Sequence, residues 1–168
     1  RYEVSSDKKY ATVIGYDGTE GDVTISAEYR GVPVTAIGSR AFSSCEELTS
    51  VELPDSIITI GHGAFYNCKN LKGIRLNDGL KTIESEAFNS SGLETIVIPA
   101  SVENVGTSAF YRCASLKTAM FEDDNSLKII ANFLFFECAQ LENVVFGKNS
   151  KMDFIGNSSF DKCVSLKS

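Results

Sequence analysis

Five of the 168 residues are cysteines, and Cys45, Cys68, Cys113, Cys138 and Cys163 are separated by 23, 45, 25 and 25 residues, close to multiples of one period. Thiols set out so regularly suit disulfide cross-linking, metal ligation or nucleophilic attack. An odd count leaves at least one outside any closed disulfide framework. Zinc needs four ligands converging on a point, which a periodic ladder does not supply, and His62 is the only histidine. His62 sits between Gly61 and Gly63 and reads as an exposed turn residue. Without a second histidine or a serine or cysteine nucleophile signature, it completes no triad. The run Glu122-Asp123-Asp124-Asn125 lacks the ligand spacing and glycine of an EF-hand loop and reads as a solvated turn. Gly15-Tyr16-Asp17-Gly18 is followed by no lysine-serine or lysine-threonine pair and no long helix, so it is no phosphate loop. The sequence therefore predicts no catalytic residues, no metal and no cofactor.

Composition narrows the partner classes. The chain is 43% hydrophobic and 23% charged, and its net charge of -6 has the wrong sign for a phosphate backbone. Nucleic acid is excluded as a partner on that ground. No apolar run approaches the ~20 residues of a spanning helix, so membrane insertion of this segment is not expected. The chain begins at Arg1, and residues 1–35 carry no signal-peptide pattern. It reads as an excised or processed piece.

The elements that hold these residues follow from an internal repeat. Phe42, Phe65, Phe88, Phe110, Phe135 and Phe160 recur at intervals of 23, 23, 22, 25 and 25 residues. Five residues before each stands Ile37, Ile60, Ile83, Val105, Ile130 or Ile155, and three before that Val34, Ile57, Leu80, Val102, Leu127 or Met152. Three residues after it comes the cysteine column, with Ser91 as its one serine. Leu48, Leu71, Leu93, Leu116, Leu141 and Leu166 follow, and five units close on an alternating pair: Val51/Leu53, Ile74/Leu76, Ile96/Ile98, Ala119/Phe121 and Val144/Phe146. The irregular intervals come from a residue missing near Ser90-Ser91-Gly92 and from two extra residues in Glu122–Ser126 and in Gly147–Lys151. Length variation confined to turns is what stacked coils with a fixed core require.

The alternating pair has strand period, and the Ala-Phe-x-x-Cys-x-x-Leu run has helical spacing over about two turns. Each unit therefore predicts a strand, a turn, a second extended stretch and a short helical turn. No unit buries its apolar side alone, so the units must stack with strands ~4.8 Å apart in a parallel sheet.

The phrases Ile60-Gly-His-Gly-Ala-Phe-Tyr-Asn-Cys-Lys-Asn-Leu71 and Val105-Gly-Thr-Ser-Ala-Phe-Tyr-Arg-Cys-Ala-Ser-Leu116 resemble the BspA-like leucine-rich repeat. The resemblance covers residues 32–168, with departures at Ser91, Ala131 and Leu134. It implies an α/β fold, a right-handed leucine-rich-repeat solenoid with a parallel β-sheet on one face and short helical turns elsewhere. It also implies an extracellular or cell-surface protein, secreted or displayed, that binds a protein ligand such as a host matrix or cell-surface protein.

Residues 1–31 fall outside the repeat. Tyr10–Ile14 and Val23–Ile25 flank the turn Asp17-Gly18-Thr19-Glu20-Gly21-Asp22 and read as paired strands, a β-hairpin cap over the first open coil. Val23 and Ile25 then form a zeroth coil in register with Val51 and Leu53. The domain reading is a cap over 1–31 and six repeats over 32–168, the last lacking its strand, which predicts that the native protein continues beyond Ser168.

With the coils in place, adjacent cysteines come within disulfide range, as Cys45–Cys68 or Cys113–Cys138; the column also reads as an inward core position filled by small hydrophobes, and this is the favoured reading. Two surface columns remain. Between the inward strand residues, Glu52, Arg75, Val97, Met120 and Val145 point outward, and the last three form an apolar stripe suited to partner contact or to cover by a flanking loop. After the core phenylalanine come Tyr66, Tyr111 and Phe136, which anchor a partner or pack against the next coil. The function expected is noncatalytic recognition or adhesion, with a structural spacer or a glycan-binding module as alternatives.

Overall fold

The alternating apolar pairs form strands because their β-branched and aromatic side chains fit a half-buried pleat. In the computed structural model, which describes residues 1–167, Asp22–Thr24, Ser50–Glu52 and Gly73–Arg75 pair in parallel. Thr95–Ile98, Thr118–Phe121 and Asn143–Phe146 form a second parallel run. The register sets Val51 against Ile74, and Ile96 against Ala119 and then Val144, so the inward residues of successive coils stack.

The second extended stretch of each unit is also a ladder, where the sequence predicted a sheet on one face only. Val32–Ile37, Thr59–Ile60, Thr82–Ile83 and Asn104–Val105 pair in parallel, as do Ile129–Ile130 and Phe154–Ile155. The last residue of each of these strands before the final coil is buried, with Ile37, Ile60, Ile83 and Ile130 fully so, while Ile155 in the last coil is 54% exposed.

The predicted helical turns are absent, and with them the α/β assignment: the described residues contain strands and turns but no helix. The backbone shows why. The residues two before and two after each core phenylalanine have φ between 52° and 62°, among them Arg40, Glu86, Phe133, Asn67, Arg112 and Glu137. This left-handed conformation costs about 1–2 kcal/mol per non-glycine residue and interrupts any run of helical bonds. Inter-coil hydrogen bonds offset the cost. In the coil of Phe65, the amides of Ala64, Tyr66 and Cys68 bond locally, to the carbonyls of Gly61, Gly63 and Phe65. The amides between them reach the next coil, with Gly63 donating to Ser85, Phe65 to Ala87 and Asn67 to Asn89 at 2.7–3.1 Å. Three such bonds recur at every junction from Phe42 to Phe160, giving a third ladder made of turns.

That ladder runs without a break where the strands do not. Pairing is missing between Gly73–Arg75 and Thr95–Ile98 and between Asn104–Val105 and Ile129–Ile130. The first gap follows the coil that is one residue short. The second follows the first coil with two residues extra, where Ala131 replaces the glycine of Gly61 and Gly106. A Cβ at Gly106 would lie 2.3 Å from the Ser85 nitrogen, so glycine permits the close approach of that coil, although the Glu84 amide at the equivalent position still donates to the Ile60 carbonyl at 2.8 Å.

The centre of the solenoid is a ladder of rings. Phe42, Phe65, Phe88, Phe110 and Phe135 stack with centroids 5.2–5.5 Å apart, and Phe160 continues the stack 5.6 Å beyond Phe135. Tyr16 lies on the outer face of Phe42 at 5.5 Å and begins the stack from the N-terminal segment.

That segment is built differently from the predicted hairpin. Ala11–Val13 pairs antiparallel with Tyr2–Val4, not with Val23–Ile25, and on its other edge runs parallel to Val34–Ile37. Val23 pairs with Val51 in the other sheet. Each of the two stretches finds a coil to stack on, so neither needs the other.

Candidate functional site

On the exposed side of the long-strand sheet the register places Glu52 beside Arg75, and Val97, Met120 and Val145 directly beside one another. The three apolar residues are 43%, 42% and 44% exposed, so they are open to solvent as a row. Their neighbours two positions earlier, Thr95, Thr118 and Asn143, form a parallel polar row. Beyond it lies a third row that sequence reading did not single out: Lys72, Glu94, Lys117, Glu142 and Lys167, each directly after a column leucine. Its signal was the alternation of sign from coil to coil. Lys167 Nζ donates to Glu142 Oε2 at 2.5 Å, and Lys167 and then Lys117 hold the Glu142 carboxyl below its usual range. The sheet thus presents an apolar stripe, a hydroxyl and amide row and an alternating charge row at the coil spacing.

The aromatic column lies on the turn side of the coils. Tyr111 and Phe136 stack at 5.1 Å, while Tyr66 is two coils from Tyr111, with Asn89 between them in the column. Each ring carries a cation: Arg40 over Tyr66, Arg112 over Tyr111 and Lys162 over Phe136, at 5.8, 5.1 and 5.0 Å. Arg112 and Lys162 both donate to Glu137, and with Lys162 first they depress its carboxyl. The half-buried rings are occupied by their neighbours, and the structure does not bring this column together with the strand row.

The cysteines are free thiols. Cys68, Cys113, Cys138 and Cys163 each donate to the carbonyl of the core phenylalanine one coil earlier, at 2.9–3.1 Å. This bond satisfies a buried acceptor and explains a polarisable small residue at the position. Ser91, in the short coil, sits 3.4 Å from the Cys113 sulfur instead. Cys45 is only half-buried. Seven residues separate Tyr16 from Val23 where nine separate Phe42 from Val51, so the first coil is shorter than the one that carries Cys45. His62 is half-buried rather than exposed, and its backbone amide bonds Glu84 Oε2 at 2.7 Å. Among the described residues no three His, Cys, Asp or Glu side chains converge to hold a metal, and no helix is long and apolar enough to cross a membrane.

Burial pushes the Cys68 thiol up to about 12, and raises Cys45 and Cys163 as well; contact with Cys113, then burial, raises Cys138. In the unfolded chain a thiol ionises near ~8.5. Between those values the native state keeps a proton that the unfolded state releases, so stability falls as pH rises. For Cys68 alone the slope is up to about 1.4 kcal/mol per pH unit. Denaturant midpoints between pH 8 and 10.5 in reductant are expected to fall less steeply for Cys68→Ala than for the parent. Equal slopes would show that the thiol is not protected.

A profile of the BspA type leucine rich repeat region matches in six copies over residues 35–167. Among solved structures the chain is similar to the leucine-rich repeat protein of T. pallidum, with 27% identity and TM-score 0.76 over 100% of this chain and 88% of that one. It is also similar to a leucine-rich repeat protein of Bacteroides ovatus, at 26% identity and TM-score 0.73 over 99% and 50% of the two chains. The pneumococcal vaccine antigen PcpA follows at 27% and 0.68, over 92% and 46%. The chain spans half or less of these last two. No curated protein sequence matches it significantly. The leucine-rich repeat fold is in general a noncatalytic scaffold. With six matched copies, a phenylalanine ladder and a cysteine-to-carbonyl bond repeated down the stack, the chain belongs to the BspA-type leucine-rich repeat family.

Proposed function

We propose that this solenoid is a noncatalytic protein-recognition module, displayed on the cell surface or secreted, and that its sheet face is the adhesive surface. The observation that carries this reading is the solvent-open row Val97, Met120 and Val145, held in register by ladder hydrogen bonds. Apolar side chains exposed in a contiguous row are unfavourable unless a partner covers them. A rigid ladder binds with little ordering cost, which suits many shallow contacts. The likeness to a pneumococcal vaccine antigen supports presentation outside the cell. The partner class is a host matrix or cell-surface protein.

The test is surface plasmon resonance against immobilised fibronectin, laminin and collagen. The parent is expected to bind at least one of them. Replacing Val97, Met120 and Val145 together with Ser is expected to weaken that binding about tenfold or more, as loss of a central apolar cluster does. Unchanged binding by the triple variant would remove this row as the surface. Failure of the parent to bind any of the three would remove matrix protein as the partner.

A further inference from the structure

Next to the stripe the sheet face deepens into a cleft, and we propose that this cleft takes a lysine or arginine side chain of the docked protein, an inference that rests on the recognition reading above. Three successive coils build it: Thr24 and Ile25 from the first, Glu52, Leu53, Pro54 and Asp55 from the second, Arg75, Asn77 and Asp78 from the third. Its volume is about 310 Å³, at the small end of the roughly 300–1,000 Å³ typical of ligand pockets. That is room for one long side chain rather than a folded ligand.

Its chemistry is short of donors. Glu52, Asp55 and Asp78 bring three carboxylates, and among the described residues none of them is in an ion pair. Glu52 accepts one hydrogen bond, from the Thr24 hydroxyl at 3.2 Å. Asn77, only 6% exposed, spends its Nδ2 on the carbonyls of Asp55 and Ile57 at 3.1 and 2.9 Å, and its Oδ1 meets no donor. Arg75 is the one cation lining the cleft, and it too is in no ion pair among the described residues. An occupant that supplies N–H donors and positive charge satisfies the carboxylates of Glu52, Asp55 and Asp78, and an acidic one is repelled by them. The apolar part of the wall, Ile25, Leu53 and Pro54, suits the methylene stem of lysine or arginine.

Position ties the cleft to the stripe. Glu52 and Arg75 are paired one step of ~4.8 Å apart and precede Val97 in the same outward column, across the break in pairing between Gly73–Arg75 and Thr95–Ile98. A partner segment lying across the strands thus places a basic residue in the cleft and apolar residues on Val97, Met120 and Val145. The partner predicted is a protein segment with a basic residue followed by apolar ones.

The experiment titrates N-acetyl-arginine amide and N-acetyl-lysine amide into the ¹⁵N-labelled protein, with N-acetyl-glutamate amide and N-acetyl-norleucine amide as comparisons. Saturable amide shifts confined to Ile25, Leu53, Asp55 and Asn77 are expected for the two basic probes only. The double variant Asp55→Asn, Asp78→Asn, at exposed positions, is expected to weaken them about fivefold or more through loss of charge-assisted bonds. No saturable shift, equal shifts with the acidic probe, or full binding by the double variant would each overturn the cleft. Matrix-protein binding by a chain that fails this titration would leave the stripe standing, and basic-probe binding by a chain that captures no matrix protein would leave only the cleft.

Discussion

Phe110→Ala is expected to lower the unfolding free energy by about 3–5 kcal/mol, the range for emptying a fully buried aromatic site. Phe110 has no solvent exposure and stacks on both faces, 5.4 Å from Phe88 and 5.5 Å from Phe135. Alanine there deletes the ring, opens a cavity and removes two stacked contacts at once. In a solenoid each coil touches only its neighbours, so the loss falls on two interfaces in the middle of the array, and the neighbouring coils cannot close the gap without breaking the turn ladder. Phe160 supplies the comparison: it is half-buried and stacks on Phe135 alone. Phe160→Ala is expected to cost about 1–2 kcal/mol, less area being buried and one stacking partner lost. Urea unfolding followed by circular dichroism reads both. Equal losses at the two positions would contradict a stabilising ladder whose interior members bear on two neighbours.

The columns were legible because an inward position repeats its residue type in every coil. Phenylalanine, isoleucine, leucine and cysteine recur at fixed offsets, and each column is buried along the interior of the stack. The turn ladder was not legible. Apolar residues at Ala64, Phe65, Cys68 and Leu71 fall at one, three and three residue steps, which a helix face also produces. What separates a chain of turns from a helix is the sign of φ at the two flanking positions. Gly63 and Asn67 announce it, but Arg40, Glu86 and Phe133 adopt the same conformation with residue types that do not. The cap misled in a similar way. Two short β-rich stretches around a glycine and acidic turn look like a hairpin when read locally, whereas stacking assigns Ala11–Val13 and Val23 to different sheets. The outward stripe followed from strand alternation alone. The cleft beside it did not, because Asp55, Asn77 and Asp78 belong to turns whose proximity depends on how successive coils superimpose.

Gly92→Ala is the second substitution with a large expected effect, and its cause is space rather than backbone conformation. Gly92 does not have positive φ, but a Cβ on it would stand 2.0 Å from the Lys69 carbonyl oxygen and 2.7 Å from its carbon. Both are backbone atoms of the preceding coil, anchored by the Gly92 amide, which donates to the Cys68 carbonyl at 3.0 Å. The close approach arises because this coil is one residue short between Phe88 and Leu93, which draws the turn in against its neighbour. Relief requires the two coils to part locally, and the expected cost is about 3 kcal/mol, the upper part of the range for overpacking. Gly73, on the exposed side of the sheet, has nothing within 4 Å of its would-be Cβ. Gly73→Ala is therefore expected to be neutral or to stabilise by about 0.5 kcal/mol through the unfolded chain. A further variant separates spacing from glycine itself: inserting one residue between Ser91 and Gly92 restores the 23-residue interval and is expected to rescue most of the Gly92→Ala loss. If Gly92→Ala and Gly73→Ala prove equally mild in urea unfolding, the short coil does not pull its turn against Lys69, and the missing residue has been absorbed elsewhere in the stack.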